Sequence, residues 1–215
     1  MLRNLGFSIA IFLFSTLSAL GAHPISKDLY GTLERDIRKC PSPLCGGYWF
    51  TPVNGTGQTL YVSGLSFPNG GEDAPFPDDQ DLPRLLVQGQ LTPPEPQFHT
   101  SKLQITALYQ TKVSPPASPA LAFSISRPRV PPHNCLVAPC PNILAQRLNQ
   151  DVIREFDRFE FVGFEASLTT AMLQKMALSP DVIEAGTFVK GTVKYPGGYE
   201  TIYRVVALYE AISLD

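Results

Sequence analysis

The chain has 215 residues, 17% of them charged, with 21 prolines, 16 glycines and a formal net charge of −2. That length holds one large domain or two small ones. The near-neutral balance removes the broad electrostatic case for nucleic-acid binding, and the Pro and Gly content points to a β protein rich in turns.

In chain order, residues 1–22 read as a signal peptide. Arg3 supplies the positive start, Leu5 to Leu17 an apolar run, and Ser18-Ala19-Leu20-Gly21-Ala22 a small-residue cleavage region. Cleavage after Gly21 and after Ala22 both fit, and 23–28 would then be a short tail. No later apolar run is long enough to span a bilayer. The expectation is a secreted, extracellular protein with no membrane attachment after cleavage. Export places Cys40, Cys45, Cys135 and Cys140 in an oxidising compartment, where their two C-x4-C spacings favour local disulfides, 40–45 and 135–140, over a zinc site. Asn54-Gly55-Thr56 is a glycosylation sequon in an Asn-Gly turn, relevant in a eukaryotic host.

The two cysteine blocks belong to an internal repeat. Cys40 to Cys45 matches Cys135 to Cys140, and Val53-Asn54 matches Leu148-Asn149. Tyr61 to Leu65 matches Glu160 to Phe164, Leu86 to Leu91 matches Phe188 to Val193, and Ile105 to Gln110 matches Val205 to Glu210. Five blocks recur in one order, so the chain reads as two tandem antiparallel β modules, 29–110 and 120–215, joined by a Pro/Ser linker at 111–119.

The second copy is the more explicit. Strands are expected at Leu121–Ser126, Ile143–Leu148 and Arg158–Glu165. A helix follows over Leu168–Leu178, capped by Ser167, with Leu168, Met172 and Met176 on one side. Ser179-Pro180 starts a short turn that Gly186 ends. Strands Thr187–Tyr195 and Glu200–Ala211 close the copy through a Pro196-Gly197-Gly198 turn. Three strands, a helix and two strands is the order of a partly open OB-type barrel, although a small two-sheet sandwich satisfies the same count. In the first copy the Pro- and acid-rich segment Pro68 to Pro83 stands where the helix would be.

The block Cys40-Pro41-Ser42-Pro43-Leu44-Cys45-Gly46-Gly47-Tyr48, running on to Val53-Asn54, resembles the signature of an uncharacterised family of secreted proteins, a domain of unknown function found largely in bacteria. Cys135 to Cys140 with Pro141 and Leu148-Asn149 resembles the companion form of the motif. The resemblance covers the chain from about Leu29 onward. It implies export and architecture and brings no activity.

Each candidate site has a plain structural counterpart. The disulfide-closed, Pro-containing loops, with Pro43 in one and Pro139 in the other, suit a preorganised recognition surface or simply a staple for a small core. Tyr48, Trp49, Phe50 and Tyr61 suit a stacking platform on a barrel face; alternation puts Tyr48 and Phe50 on one side and Trp49 on the other. The acidic run Glu72 to Asp81 lacks the order of a calcium loop. Glu155, Asp157 and Glu160 lie on one stretch rather than across a cleft. Nucleophile-elbow, P-loop and dinucleotide motifs are absent. A copper site built on a terminal His23 with His99 or His133 is the sharpest enzyme reading, and no spacing rule brings those residues together. The sequence therefore predicts no catalytic residue, metal or cofactor. It predicts a non-catalytic extracellular binding or structural module, with a secreted protease inhibitor as the rival, whose partner is an extracellular protein or carbohydrate.

Overall fold

A computed structural model describes residues 28–55, 57–68, 76–111, 121–130, 141–195 and 198–213. Among these described residues antiparallel strands dominate, with one α-helix. The N-terminal half contributes β1 (Leu29–Arg35), β2 (Tyr48–Pro52), β3 (Leu60–Ser66), β4 (Leu85–Leu91) and β5 (Ser101–Gln110). The C-terminal half contributes β6 (Ala122–Pro128), β7 (Ile143–Arg147), β8 (Ile153–Phe156), β9 (Arg158–Phe161), α1 (Thr170–Ala177), β10 (Val182–Tyr195) and β11 (Gly198–Ile212).

One pairing scheme occurs twice. In the N-terminal half β1 pairs antiparallel with β2 and β4, β2 with β3, and β4 with β5; a parallel β3–β5 pairing closes the ring. In the C-terminal half β6 pairs antiparallel with β7 and β10, β7 with β8, and β10 with β11; a parallel β9–β11 pairing closes that ring. The closing strand is continuous in the first ring and split at Asp157 in the second. The strands of each half thus close partly into a ring.

The rings are not beads on a string. β5 and β11 pair antiparallel through Leu108–Gln110 and Glu210–Ile212, so one sheet runs β3-β2-β1-β4-β5-β11-β10-β6-β7-β8 through both halves. Each ring has its own apolar core, around Leu33, Phe50, Val62 and Leu103 in one and around Phe156, Phe159, Val205 and Tyr203 in the other. A third core lies between them and takes residues from both: Val53, Leu86, Leu148, Ile183, Ala207 and Tyr209. Burying side chains of that size stabilises by about 2 kcal/mol each, so the junction is a core in its own right.

Two asparagines seal the junction. Asn54 and Asn149 both adopt positive φ, 54° and 58°, a conformation that asparagine tolerates better than most residues. The side chain of Asn149 accepts from Tyr30 N (2.8 Å) and donates to Tyr30 O and Val53 O (2.7 Å each). That of Asn54 accepts from Phe123 N (2.8 Å) and donates to Leu148 O (3.2 Å) and to Phe123 O. Each half thus clamps the first strand of the other by the same chemistry.

Several local expectations change. The bulges that let β4 and β10 follow their neighbours fall at Gly89 and Gly186, where a Cβ would lie 2.5 Å from Gln104 O and 2.2 Å from Arg204 O. Gly89 therefore corresponds to Gly186, not to Gly191. By the same registers Leu65 corresponds to Phe159, because Leu65 pairs with Leu103 and Phe159 with Tyr203. Gly186 does not end a turn; β10 already begins at Val182. The helix is capped by Thr169, whose Oγ1 accepts from Met172 N at 3.2 Å, while Ser167 donates to Glu165. Leu173 and Ala177 form its buried face and Met172 is 51% exposed, so Met172 does not share the inner side. Pro196 and Gly197 lie outside the described residues.

Candidate functional site

The loop between β1 and β2 carries the most constructed surface in the N-terminal half. Cys40 and Cys45 form a disulfide across it. Asp36 N donates to Gly47 O (3.0 Å) and closes the neck. The chain leaves the loop through Gly46 at φ +82° and Gly47, where a Cβ would lie 2.1 Å from Val62 O; no side chain fits there. Leu44 N donates to Pro41 O (3.1 Å). The Tyr61 hydroxyl donates to Pro43 O (2.9 Å) and accepts from Gly47 N (3.3 Å), which ties the loop to β3.

Arg38 is the keystone. Its guanidinium donates to both carboxylate oxygens of the buried Asp36, with Nε–Oδ1 and Nη2–Oδ2 at 2.9 Å, and to Leu44 O at 3.3 Å. It also lies over Trp49, 4.7 Å from the ring centroid, and 5.5 Å from that of Tyr61. The hydrogen bonds from Arg38 hold the Asp36 carboxyl below the usual carboxylate range. Trp49 and Tyr61 are cross-strand partners in edge-on contact, 5.3 Å between centroids. Arg35 repeats the motif beside them, donating to the Tyr48 hydroxyl (2.7 Å) and lying 4.9 Å from its ring.

The outcome of this bracing is a ridge. Ile37 is 86% and Leu44 50% exposed, two large apolar side chains held outward on a closed loop. Trp49 faces away from the core and Phe50 is fully buried, as alternation requires, but Trp49 is not an open stacking surface because Arg38 covers one of its faces. Tyr48 packs inward against Phe76 instead. Arg38, Asp36 and Ile37 carry the surface and were not singled out by the sequence reading. A signal was present, in an acid and a base flanking an isoleucine just before the first cysteine.

The other sequence candidates are dispersed. Cys135, Cys140, Pro139, His23 and His133 lie outside the described residues. Asn54 spends its amide on the clasp to Phe123 and Leu148, so that clasp and a glycan on Asn54 exclude one another. Glu155 pairs with Arg129, Asp157 accepts from Thr201 N (2.7 Å), and Glu160 accepts from Arg204 (2.9 Å). These three acids face three different partners. His99 sits at φ 54° in the exposed β4–β5 turn. Of the acidic run, 72–75 lie outside the described residues and Asp78 forms a turn with Asp81 (2.8 Å). Among the described residues no three His, Cys, Asp or Glu side chains gather to hold a metal, and no helix is long and apolar enough to cross a membrane.

Fold and loop together define a β-ring protein with a disulfide-braced, aromatic-backed loop on its first ring. Residues 29–198 match the family model described as a domain of unknown function, DUF6748, and the chain belongs to that family. No curated protein and no solved structure matches it.

Proposed function

We propose that this is a secreted, non-catalytic binding protein built from two copies of one β module, and that the loop of the first copy grips an extracellular protein. Residues 1–22 serve as the signal peptide, and the disulfide fits an oxidising compartment. The observation that carries the reading is the outward projection of Ile37 and Leu44 from a loop fixed by a disulfide, by Arg38 and by Tyr61. A loop already in its bound shape loses little entropy on association. Large apolar anchors beside Trp, Tyr and Arg also have the composition of interface hot spots. A carbohydrate partner fits less well, because the guanidinium of Arg38 occupies the face of Trp49 that a sugar would need.

The rival reading, a protease inhibitor, uses the same exposed loop and is separated by one experiment. The secreted protein and its Ile37→Asp/Leu44→Asp variant are immobilised and challenged with extracellular proteins of the producing cell, a glycan array and representative proteases. A protein retained by the native loop and lost from the variant supports the proposal. Equal retention by both, or binding confined to glycans, refutes it. Inhibition of a protease that the variant relieves assigns the rival.

A further inference from the structure

We propose that Asn54 is a site of spontaneous deamidation, and that the junction between the halves protects this site and is lost when it reacts. The proposal is independent of the disulfide loop. It starts from a difference between the two clasps. Both asparagines sit at positive φ and reach across to the first strand of the other half. Asn54, however, is followed by Gly55, and Asn149 by Gln150.

The amide of an asparagine is attacked by the backbone nitrogen of the residue after it. As that nitrogen gives up its proton to solvent, it bonds to Cγ. The Cγ–Nδ2 bond breaks, and Nδ2 leaves as ammonia. Water then opens the five-membered succinimide at either of its carbonyls, giving aspartate or isoaspartate. One water enters, one ammonia departs and no electrons are transferred. The step is easiest before glycine, because no Cβ crowds the attacking nitrogen. Gly55 is exposed to solvent, and its N–H makes no hydrogen bond among the described residues. Asn149 lacks this partner, because the side chain of Gln150 stands beside the nitrogen that would attack.

The clasp holds the reacting amide away from Gly55. Asn54 Oδ1 accepts from Phe123 N (2.8 Å), and Nδ2 donates to Leu148 O (3.2 Å) and to Phe123 O. Both protons of the leaving group are thus spent on the other half. Turning the carboxamide back onto its own chain breaks all three bonds, which requires the junction to part. Deamidation is slow beside such openings, so its rate follows the fraction of molecules in which the junction is open. The product cannot restore the clasp. A carboxylate has no N–H for Leu148 O and Phe123 O, and it brings its charge against both carbonyls. Isoaspartate also lengthens the main chain by one carbon. Each conversion leaves a junction that reopens more readily over Val53, Leu86, Leu148 and Tyr209. The pair Asn54-Gly55 is therefore a one-way release for the contact between the rings.

The test follows Asn54 and Asn149 by peptide mass spectrometry of the secreted protein held in mildly alkaline buffer, folded and unfolded in urea. In the unfolded chain Asn54 should convert well ahead of Asn149. In the folded protein Asn54 should slow at least about tenfold, as a closed junction requires. Asn149→Gly weakens the same junction without altering Asn54 or Gly55, and should raise the folded-state rate about tenfold or more. Deamidated protein, once purified, should unfold at lower urea than the native protein. An Asn54 that converts as fast in the folded as in the unfolded protein overturns the proposal. So does a rate that Asn149→Gly leaves unchanged. Should that variant not fold, urea below the native unfolding transition takes its place: a rise in rate is expected, and a flat rate overturns the proposal. Deamidated protein as stable as the native overturns it too, since the reaction would then leave the junction intact.

Discussion

The two rings share a pairing scheme but not an interior. At corresponding register positions the N-terminal ring places Gly31, Leu33, Phe50, Val87 and Leu103, and the C-terminal ring Ser124, Ser126, Ala145, Glu184 and Tyr203. The first interior is hydrocarbon. Phe50 fills it by lying against Gly31, where a Cβ would come within 2.4 Å of the ring. In the second the large ring comes from the opposite strand: Tyr203 stacks on Phe188, 4.4 Å between centroids, and Ala145 yields the space. The hydroxyl of Tyr203 then needs partners, and it donates to Ala122 O (2.7 Å) and accepts from Ser124 Oγ (2.9 Å).

Glu184 completes the contrast. It is wholly buried; one oxygen accepts from Ser126 N (3.1 Å) and the other has no hydrogen-bond partner among the described residues. Burial raises its pKa well above the ordinary glutamate value, because removal from water disfavours the charged carboxylate. One scheme of backbone pairing therefore tolerates either interior, because inward-facing positions need matched volume and satisfied polar groups rather than a particular residue.

The comparison can be broken most severely by moving the acid. Val87→Glu puts a carboxyl where no serine or tyrosine waits for it, and should cost more than about 4 kcal/mol in urea unfolding, enough to threaten folding. Breaking the junction comes next. Asn149→Ala should cost about 3 kcal/mol, combining lost hydrogen bonds with a strained positive φ, and Asn149→Gly about 2, since glycine relieves the φ alone. Asn54 should repeat that pair of values if the clasps are equivalent, and unequal costs would show that one half leans on the other. Removing the 40–45 disulfide with Cys40→Ser/Cys45→Ser should cost about 2 kcal/mol in the chain-entropy account of so short a loop.

A subtler effect concerns pH. A carboxyl whose folded pKa is raised contributes its full stability below the ordinary value of 4.5 and loses it as pH rises towards the folded value. Stability should thus fall from acid to alkaline conditions, and Glu184→Gln should flatten that fall in thermal melts at pH 4, 6 and 8. An unchanged slope would show that Glu184 is not the group responsible. The smallest effect is on α1, where Met172→Gln should stay within about 0.5 kcal/mol while Leu173→Ala costs about 3.

Much of the fold was legible because it was written as pattern. The β-rich class, the helix in the C-terminal half and the ring-closing strand order follow from alternating apolar positions and turn residues. Register was not legible in the middle of each half. Two glycine-containing strands can be matched at Gly89 and Gly191 as readily as at Gly89 and Gly186, and only the bulge against the neighbouring carbonyl decides. The helix face was misread at Met172, because the buried stripe runs through Leu173 and Ala177, one position further along, with Met176 partly buried beside it. At the loop, the disulfide at Cys40 and Cys45 was visible in the spacing. The seating of Arg38 between Asp36 and Trp49 was not, since it joins residues of two strands through space. Tyr48 and Trp49 were rightly separated by alternation, but their partners decided which of them reaches the surface.

The clasps also impose an order of events on a chain made from its N-terminus. Tyr30 waits for Asn149, 119 residues away, and Asn54 for Phe123 and Leu148, 69 and 94 residues away. The first ring can close its own pairings long before then, yet the Tyr30 amide and the apolar flank around Val53 and Leu86 stay uncovered until the second ring has been delivered. Contacts this distant in sequence form late. A nascent chain therefore passes through an interval in which one finished ring exposes half of an unfinished core, and any factor that shields such a surface would act in that interval and not after it.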